Sequence, residues 1–247
     1  PHDAEGLGAG PGAEPVEEGG VTITYLGQNV QSGYASGSGT GTLTWIPPSP
    51  TDGDLHVLFA GAWGPLRGSA PTISDLAGWT PAFNTFYNGY PSIGGQWRRI
   101  RAWIRRYASG DPDPTLTGSG MNPSGAWGGE LVGLRGPTGG LVSVTPSYRS
   151  ATGAGTWSAT DPGSSGSQMN VLIRHSNGTS TRPWVPDASW DGGHQRDIDA
   201  GIHFAYREGP ASAGTVSFSA GGPEYCHVLT IDMTASRNGW AVGRLAW

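Results

Sequence analysis

Short runs of alternating apolar and polar residues, separated by clusters of Gly, Pro, Asp and Ser, recur along the chain from residue 21 onward. A period of two, interrupted at close intervals by turn residues, is typical of β-strands joined by turns. We therefore predict an all-β fold. Its strands are expected at residues 21–26, 41–46, 54–60, 97–107, 127–134, 141–145, 168–175, 197–207, 215–219, 226–234 and 240–247.

Residues 95–108 fit two periodicities. Trp97, Ile100, Ile104 and Tyr107 recur at helical spacing, which slightly favours a helix. As a strand, the same segment places Ile100 and Ile104 on one face and Arg101 on the other. Periodicity alone leaves both interpretations open.

The chain also carries a weak internal duplication. Segments 54–60, 98–107, 115–117 and 127–135 form one series, and segments 168–175, 196–207, 215–219 and 226–234 form a second with similar spacing. Two four-strand units could each form a small sandwich, or they could combine into one jelly-roll-like sandwich. No linker of distinct composition separates the series. We therefore expect one two-sheet β-sandwich domain over residues 21–247, ending in an aromatic strand.

Residues 1–20 are rich in Gly and Pro and contain five acidic residues but no Arg. This composition predicts an extended acidic arm, which we expect neighbouring subunits of an assembly to hold in place. The other 14 acidic residues balance the 14 Arg, so the body of the chain is neutral. A neutral body argues against nucleic-acid binding.

The composition excludes several chemistries. The cationic residues are 14 Arg and no Lys, which rules out a P-loop and Schiff-base catalysis. A single Cys, Cys226, rules out intramolecular disulfides and Cys-built metal sites. No apolar run is long enough to span a bilayer. We predict no catalytic residues, no cofactor or metal, and no nucleic-acid or membrane partner.

Five Arg residues lie between positions 98 and 106. They could grip an acidic partner, such as a neighbouring arm or a polyanionic glycan, or they could pair with carboxylates on adjacent strands. The aromatic C-terminal strand is a second candidate for docking. The predicted partner-docking residues are Glu14, Glu17, Glu18, Arg98, Arg101, Arg105, Trp240 and Trp247.

The 11 Trp residues are numerous for a chain of 247 residues. We assign most of them to the core or to subunit contacts, since Trp is enriched in both. Aromatic residues on loops could instead stack on sugar rings. The predicted receptor or glycan contacts are Trp63, Tyr87, Trp184 and Trp190.

A series of short motifs follows in order along the chain. The motifs are Gly53-Asp54-Leu55, the following HVLFAGAW strand, Gly78-Trp79-Thr80, the Arg99–Arg105 strand, the 108–112 turn and the 131–136 strand. This series resembles the β-sandwich domains of structural and tail-associated proteins of tailed bacteriophages. The resemblance spans roughly residues 40–235, and it implies a strand at 95–108 and no fixed catalytic residues. The Arg-rich run and the acidic arm depart from the family pattern.

From this resemblance we expect a non-enzymatic virion structural protein, assembled in the cytoplasm of the bacterial host. A minor tail, baseplate or fibre component docked by its arm is the favoured role, with other virion proteins and copies of itself as partners. One alternative is a head decoration protein. Another is a carbohydrate-binding adhesion module that contacts a host surface glycan. A glycan hydrolase on a β-sandwich is the least favoured interpretation.

Overall fold

The computed structural model describes residues 23–66, 68–88, 96–123, 125–136, 142–151, 154–161, 168–176, 191–194, 202–208, 214–221 and 224–233. Every regular element within these ranges is a β-strand and none is a helix, which confirms the all-β class. The predicted arm at 1–20 and the predicted aromatic strand at 240–247 lie outside the described residues.

The strands follow the predicted runs closely in the centre of the chain. In order, they are β1 (Thr24–Tyr34), β2 (Gly41–Thr44), β3 (Leu55–Leu66), β4 (Thr72–Ile73), β5 (Thr80–Asn88), β6 (Gln96–Arg106), β7 (Thr115–Ser119), β8 (Ala126–Arg135), β9 (Val142–Ala151), β10 (Ala154–Asp161), β11 (Gln168–Ser176), β12 (Asp191–His194), β13 (Ile202–Glu208), β14 (Gly214–Gly221) and β15 (Glu224–Met233). Of these strands, the predicted runs miss β4, β5, β7, β10 and β12, although the first duplication series includes residues 115–117 of β7.

The first eight strands form a β-sandwich. Sheet A has the order β1-β8-β3-β6-β5, sheet B has the order β2-β7-β4, and all pairs are antiparallel. A jelly roll places strands 1-8-3-6 in one sheet and 2-7-4-5 in the other. The observed order matches that arrangement, except that β5 pairs with β6 at the edge of sheet A.

Residues 96–106 of this segment form a strand, as the resemblance implies. β6 pairs with β3 on one side and with β5 on the other. Ile100, Ala102 and Ile104 share one face of the strand and are buried. Pairing on both sides and burial of this face outweigh the helical spacing of the large residues, because tertiary contacts override local periodicity.

The core lies between the two sheets. Sheet A contributes Leu58, Trp103 and Leu131, and sheet B contributes Ile73 and Leu116, all of them buried. The opposite face of sheet A is also buried, where Val57 and Phe59 are both 0% exposed. A central strand buried on both faces needs apolar residues at consecutive positions, which explains the uninterrupted run at 55–60.

Two aromatic residues fix the distance between strands in this core. Trp45 is fully buried, and its Nε1–H donates a hydrogen bond to the carbonyl of Gly129 (3.0 Å). A Cβ added at Gly129 would collide with the carbonyl oxygen of Phe59 on β3. A Cβ at Gly41 would lie 2.6 Å from Nε1 of Trp127. Glycine is therefore required at both positions by close packing.

The strands after residue 141 repeat the topology of the first eight. Sheet C has the order β12-β13-β11-β15-β9, and sheet D pairs β10 with β14. From its other end, sheet C runs β9-β15-β11-β13-β12, which matches β1-β8-β3-β6-β5 strand for strand. Sheet D likewise matches the β2–β7 pair. The duplication predicted from the sequence is confirmed in the strand order.

The two halves keep separate sheets. Among the described strands, no hydrogen-bonded pair joins a strand of residues 24–135 to a strand of residues 142–233. The strand pairing is that of two similar units, as one of the two alternatives predicts. The extent of a single domain over residues 21–247 stays a prediction.

Candidate functional site

The candidate site is built on β6, which carries the Arg-rich run. Successive side chains of a strand point to opposite faces. Arg101 reaches the carbonyl of Ile73 on β4, so this face of β6 is the one towards sheet B. Arg99 and Arg105 share that face, whereas Arg98 and Arg106 lie on the opposite one.

Two of the predicted docking residues pair with carboxylates of their own chain. Arg101 forms a salt bridge with Asp75 and donates a second hydrogen bond to the carbonyl of Ile73 (2.7 Å). Arg105 forms a salt bridge with Asp111. Both carboxylates belong to loops, not to the adjacent strands that the pairing interpretation expects. A docking role for either Arg towards a partner stays a prediction.

Arg98 is brought together with two predicted glycan contacts. It is fully buried, and its guanidinium carbon lies 3.5 Å from the centroid of the Trp63 ring. Tyr87 is its partner in the β5–β6 ladder. A desolvated guanidinium over an indole face is a favourable cation–π geometry. Arg98 therefore covers one face of Trp63, the kind of surface on which a sugar ring would stack.

The remaining predicted contacts belong to segments beyond those that the structure describes. The docking and glycan-contact roles assigned to these residues therefore stay predictions. The residues are Glu14, Glu17, Glu18, Trp184, Trp190, Trp240 and Trp247.

A buried carboxylate closes one end of the first sandwich. Asp54 Oδ1 accepts from Arg135 Nε (3.0 Å), and Oδ2 accepts from Arg135 Nη2 (2.9 Å) and from the backbone N–H of Thr51 (2.8 Å). Burial by itself raises the pKa of Asp54, but these hydrogen bonds and the charge of Arg135 outweigh it and hold the pKa below the ordinary value. We call this arrangement the Asp54–Arg135 clamp.

A neutral histidine lies beside the clamp. His56 is 2% exposed, and its ring centroid lies 6.4 Å from that of Trp79 and 5.2 Å from that of Tyr107. Its Nε2 is shielded from solvent and has no hydrogen-bond partner in the part of the chain that the structure describes. Burial lowers the pKa of His56 to about 4, with Asp54 opposing that shift and Arg105 adding to it.

The motifs that carry the resemblance meet at this end of the sandwich. The Gly53-Asp54 turn and the 131–136 strand supply the clamp, and Trp79 of the Gly-Trp-Thr motif stacks on His56. Gly78 has a φ of +76°, a left-handed backbone conformation that favours glycine, and it lies beside the guanidinium of Arg105. Asp111 caps the 108–112 turn by accepting from the N–H of Ala108 (2.8 Å). These residues are thus engaged in contacts within the chain.

An aromatic and cationic shelf lies on the same face of β6, near its other end. Phe86 on edge strand β5 is 55% exposed, and its ring centroid lies 5.9 Å from that of Trp97. The guanidinium carbon of Arg99 lies 5.4 Å from the Phe86 ring. Asn84 is exposed on the same face, since paired residues of a ladder point to one side. We call these four residues the Phe86 shelf.

Sequence reasoning did not single out Phe86, Asn84 or Arg99 as contacts. It placed residues 83–90 in a loop, whereas residues 80–88 form β5. The alternation of Asn84, Phe86 and Asn88 with Phe83 and Thr85 is the signal that could have revealed a strand with an exposed aromatic face.

The outer face of sheet B offers a different surface. Threonine and serine hydroxyls pair across its strands: Thr44 with Thr115 (2.8 Å), and Thr72 with Ser119 (2.6 Å). Such cross-strand hydroxyl pairs stabilise the ladder. The paired side chains are uncharged, so a charged ligand would be recognised by the Phe86 shelf instead.

Neither metal nor membrane chemistry is indicated in the described ranges. They contain no group of three or more His, Cys, Asp or Glu side chains that could hold a metal ion. They also contain no helix long and apolar enough to cross a membrane. A scan against protein-family models found no match, and searches of curated proteins and of solved structures found none either.

Proposed function

We propose that the chain is a non-enzymatic structural component of the virion of a tailed bacteriophage. The observation that carries this proposal is the use of the motif residues. Asp54, Trp79, Arg105 and Arg135 bind other groups of the chain and close one end of the sandwich. Motif residues committed to internal packing suit a scaffold, whereas an enzyme would direct them into a cleft.

The repeated topology supports the same role by analogy. Jelly rolls are common in viral capsid proteins and in lectins, although a fold by itself does not determine function. The strand order of sheets A and B recurs in sheets C and D. Two such units in tandem present loops and sheet faces to several neighbours, as a component of a large assembly requires.

Within the particle we favour a minor tail, baseplate or fibre component, with head decoration as the alternative. Docking through the acidic arm and the aromatic C-terminal segment remains part of this proposal. The proposed location is the virion, after assembly in the host cytoplasm, and the proposed partners are other virion proteins and further copies of the chain.

The test is to locate the protein in purified particles of the phage whose genome encodes it. An antibody raised against residues 23–136, visualised with gold by electron microscopy, should label intact particles at the tail. Label on the head would support decoration instead. Absence of the protein from purified particles, with the protein present in the lysate, would refute the virion proposal.

A carbohydrate-binding adhesion module is the second candidate, and the Phe86 shelf favours it. An exposed ring beside a guanidinium and an amide is the combination that stacks on a sugar and hydrogen-bonds its substituents. The two candidates are compatible, because a tail component can also contact the surface of the host.

A further inference from the structure

We infer that the Phe86 shelf is a binding site for an acidic saccharide, with Arg99 pairing with the carboxylate of a uronic acid residue and Phe86 stacking on its ring. This inference deepens the adhesion candidate and rests on it. It does not depend on where the protein lies in a particle, because binding is measured on the purified chain.

The charge of Arg99 is the first argument. Arg101 and Arg105, on the same face of β6, each form a salt bridge with a carboxylate. Arg99 is half-buried, and among the described residues no carboxylate pairs with it. The Nε of Arg99 is shielded from solvent and has no hydrogen-bond partner among the described residues. A partly desolvated, planar guanidinium of this kind matches a carboxylate, which it binds through two parallel hydrogen bonds.

The exposure of Phe86 is the second argument. Large apolar side chains on a protein surface often mark binding sites when polar groups surround them. The ring centroid of Phe86 lies 5.9 Å from that of Trp97 and 5.4 Å from the guanidinium carbon of Arg99, while more than half of the residue's surface is exposed. A ring with this much exposed surface can pack against the C–H groups of a sugar.

The polar residues around the ring set the orientation of the ligand. Asn84 lies two residues from Phe86 on the same face, about 7 Å along the strand, which is close to the width of a sugar ring. Its amide both donates and accepts hydrogen bonds, as sugar hydroxyls require. Asp75 neutralises Arg101 at the Asn84 end of the shelf by a salt bridge. Arg99 is the guanidinium of the shelf, so the carboxylate of the ligand points to Arg99.

The experiment uses the purified full chain and two probes. Trigalacturonic acid carries the carboxylates, and its methyl ester is the neutral control with the same ring. Titration calorimetry at about 0.1 M ionic strength, where the screening length is about 10 Å, should show saturable binding of the acid and at least about ten-fold weaker binding of the ester. Saturation-transfer NMR should place the ring protons of the sugar against the protein.

Two variants test the assigned residues, each with a matched control. Arg99→Gln should weaken binding of the acid at least about ten-fold. Arg105→Gln removes the same charge from the same strand about 20 Å away, beyond the screening length, and should leave affinity within about two-fold. Phe86→Ala should weaken binding about five-fold. Ile46→Ala, which replaces a residue with 62% exposure away from the shelf, should not.

Circular dichroism checks that each variant folds. If Arg99→Gln does not fold, the Phe86→Ala variant still tests the site, because Phe86 is exposed. No saturable binding of the acid, equal binding of acid and ester, or unchanged affinity in Arg99→Gln would each overturn the proposal. A peptide of residues 11–20 is titrated in parallel. If this acidic peptide binds through Arg99 and the saccharide does not, the shelf is a docking site for the arm and the saccharide assignment is wrong.

Discussion

Replacing His56 with Phe should make the free energy of unfolding less dependent on pH between pH 6.5 and pH 4. His56 is buried between Trp79 and Tyr107, and burial lowers its pKa from 6.5 to about 4. In that window the unfolded chain binds a proton that the folded chain does not bind. Unfolding is therefore favoured as the pH falls, and the stability that is fully present above pH 6.5 is progressively lost.

The magnitude follows from the two pKa values. A difference of 2.5 pH units at about 1.36 kcal/mol per unit gives a maximum loss of about 3 kcal/mol below pH 4. Between pH 7 and pH 4.5 the same linkage gives about 2 kcal/mol. The lowered pKa of Asp54 acts below its ordinary value of 3.8, outside this interval, so the two effects are separable.

Urea unfolding followed by Trp fluorescence at pH 7.0, 5.5 and 4.5 measures the effect. The parent protein should lose about 2 kcal/mol more than His56→Phe over this range. At pH 7.0 the two proteins should differ by less than about 1.5 kcal/mol, because an aromatic ring of similar size replaces the imidazole. The comparison is made at each pH, so other titrating groups cancel.

Ile73→Val is the matched control, because it weakens the same core without changing a titratable group. It should lower stability by about 1 kcal/mol at all three pH values. If His56→Phe keeps the pH dependence of the parent protein, burial does not suppress protonation of His56 and the reasoning is refuted.

Three further substitutions test the clamp and the core packing. Asp54→Asn should lower the free energy of unfolding by about 1–2 kcal/mol at pH 7, because it removes the charge that Arg135 and a backbone N–H bind. Urea unfolding measures the change, and a loss below about 0.3 kcal/mol would contradict the clamp. Gly129→Ala should lower the free energy of unfolding by about 3 kcal/mol or more, because the new Cβ would collide with a carbonyl of β3. Gly37→Ala is the control, since a Cβ at Gly37 meets open space and should change the melting temperature little. Trp45→Phe should cost about 1–3 kcal/mol by leaving the carbonyl of Gly129 without its donor, and an unchanged melting curve would show that water replaces it.

The strands that the sequence predicts best are those buried on both faces. The apolar run at 55–60 and the Ile100–Ile104 alternation predict β3 and β6, and burial of both explains why the pattern is strong. β5 was missed because Pro81, Asn84 and Asn88 make it look like a loop. At a sheet edge such residues are tolerated, since one side of the strand needs no partner.

The pairings of the Arg residues could not be predicted from spacing. Asp75 lies 26 residues before Arg101 in the sequence, and only the fold of the β4 loop over β6 brings them together. The burial of Arg98 could not be predicted from the sequence either, because a strand rich in Arg predicts a solvated face. Only the structure shows that the Trp63 ring packs against the guanidinium of Arg98. The sequence therefore shows how many Arg residues the strand carries. Only the structure shows that Arg99 is half-buried and has no carboxylate partner among the described residues.

The strand pairs show how the two halves differ. β3 pairs with β8 as β11 pairs with β15, so a clamp at the same place in the second half would join the start of β11 to the end of β15. The residues at those two ends are Gln168 and Met169 on β11 and Asp232 and Met233 on β15, and none of them carries a guanidinium.

The first five residues of β11, 168–172, contain no histidine either. The second half thus keeps the strand order with neither the acid–base pair nor a histidine at the start of β11. The clamp is therefore not required to specify the topology, and its effect is on the local stability of the first unit. This is why Asp54→Asn should weaken the protein without altering its fold.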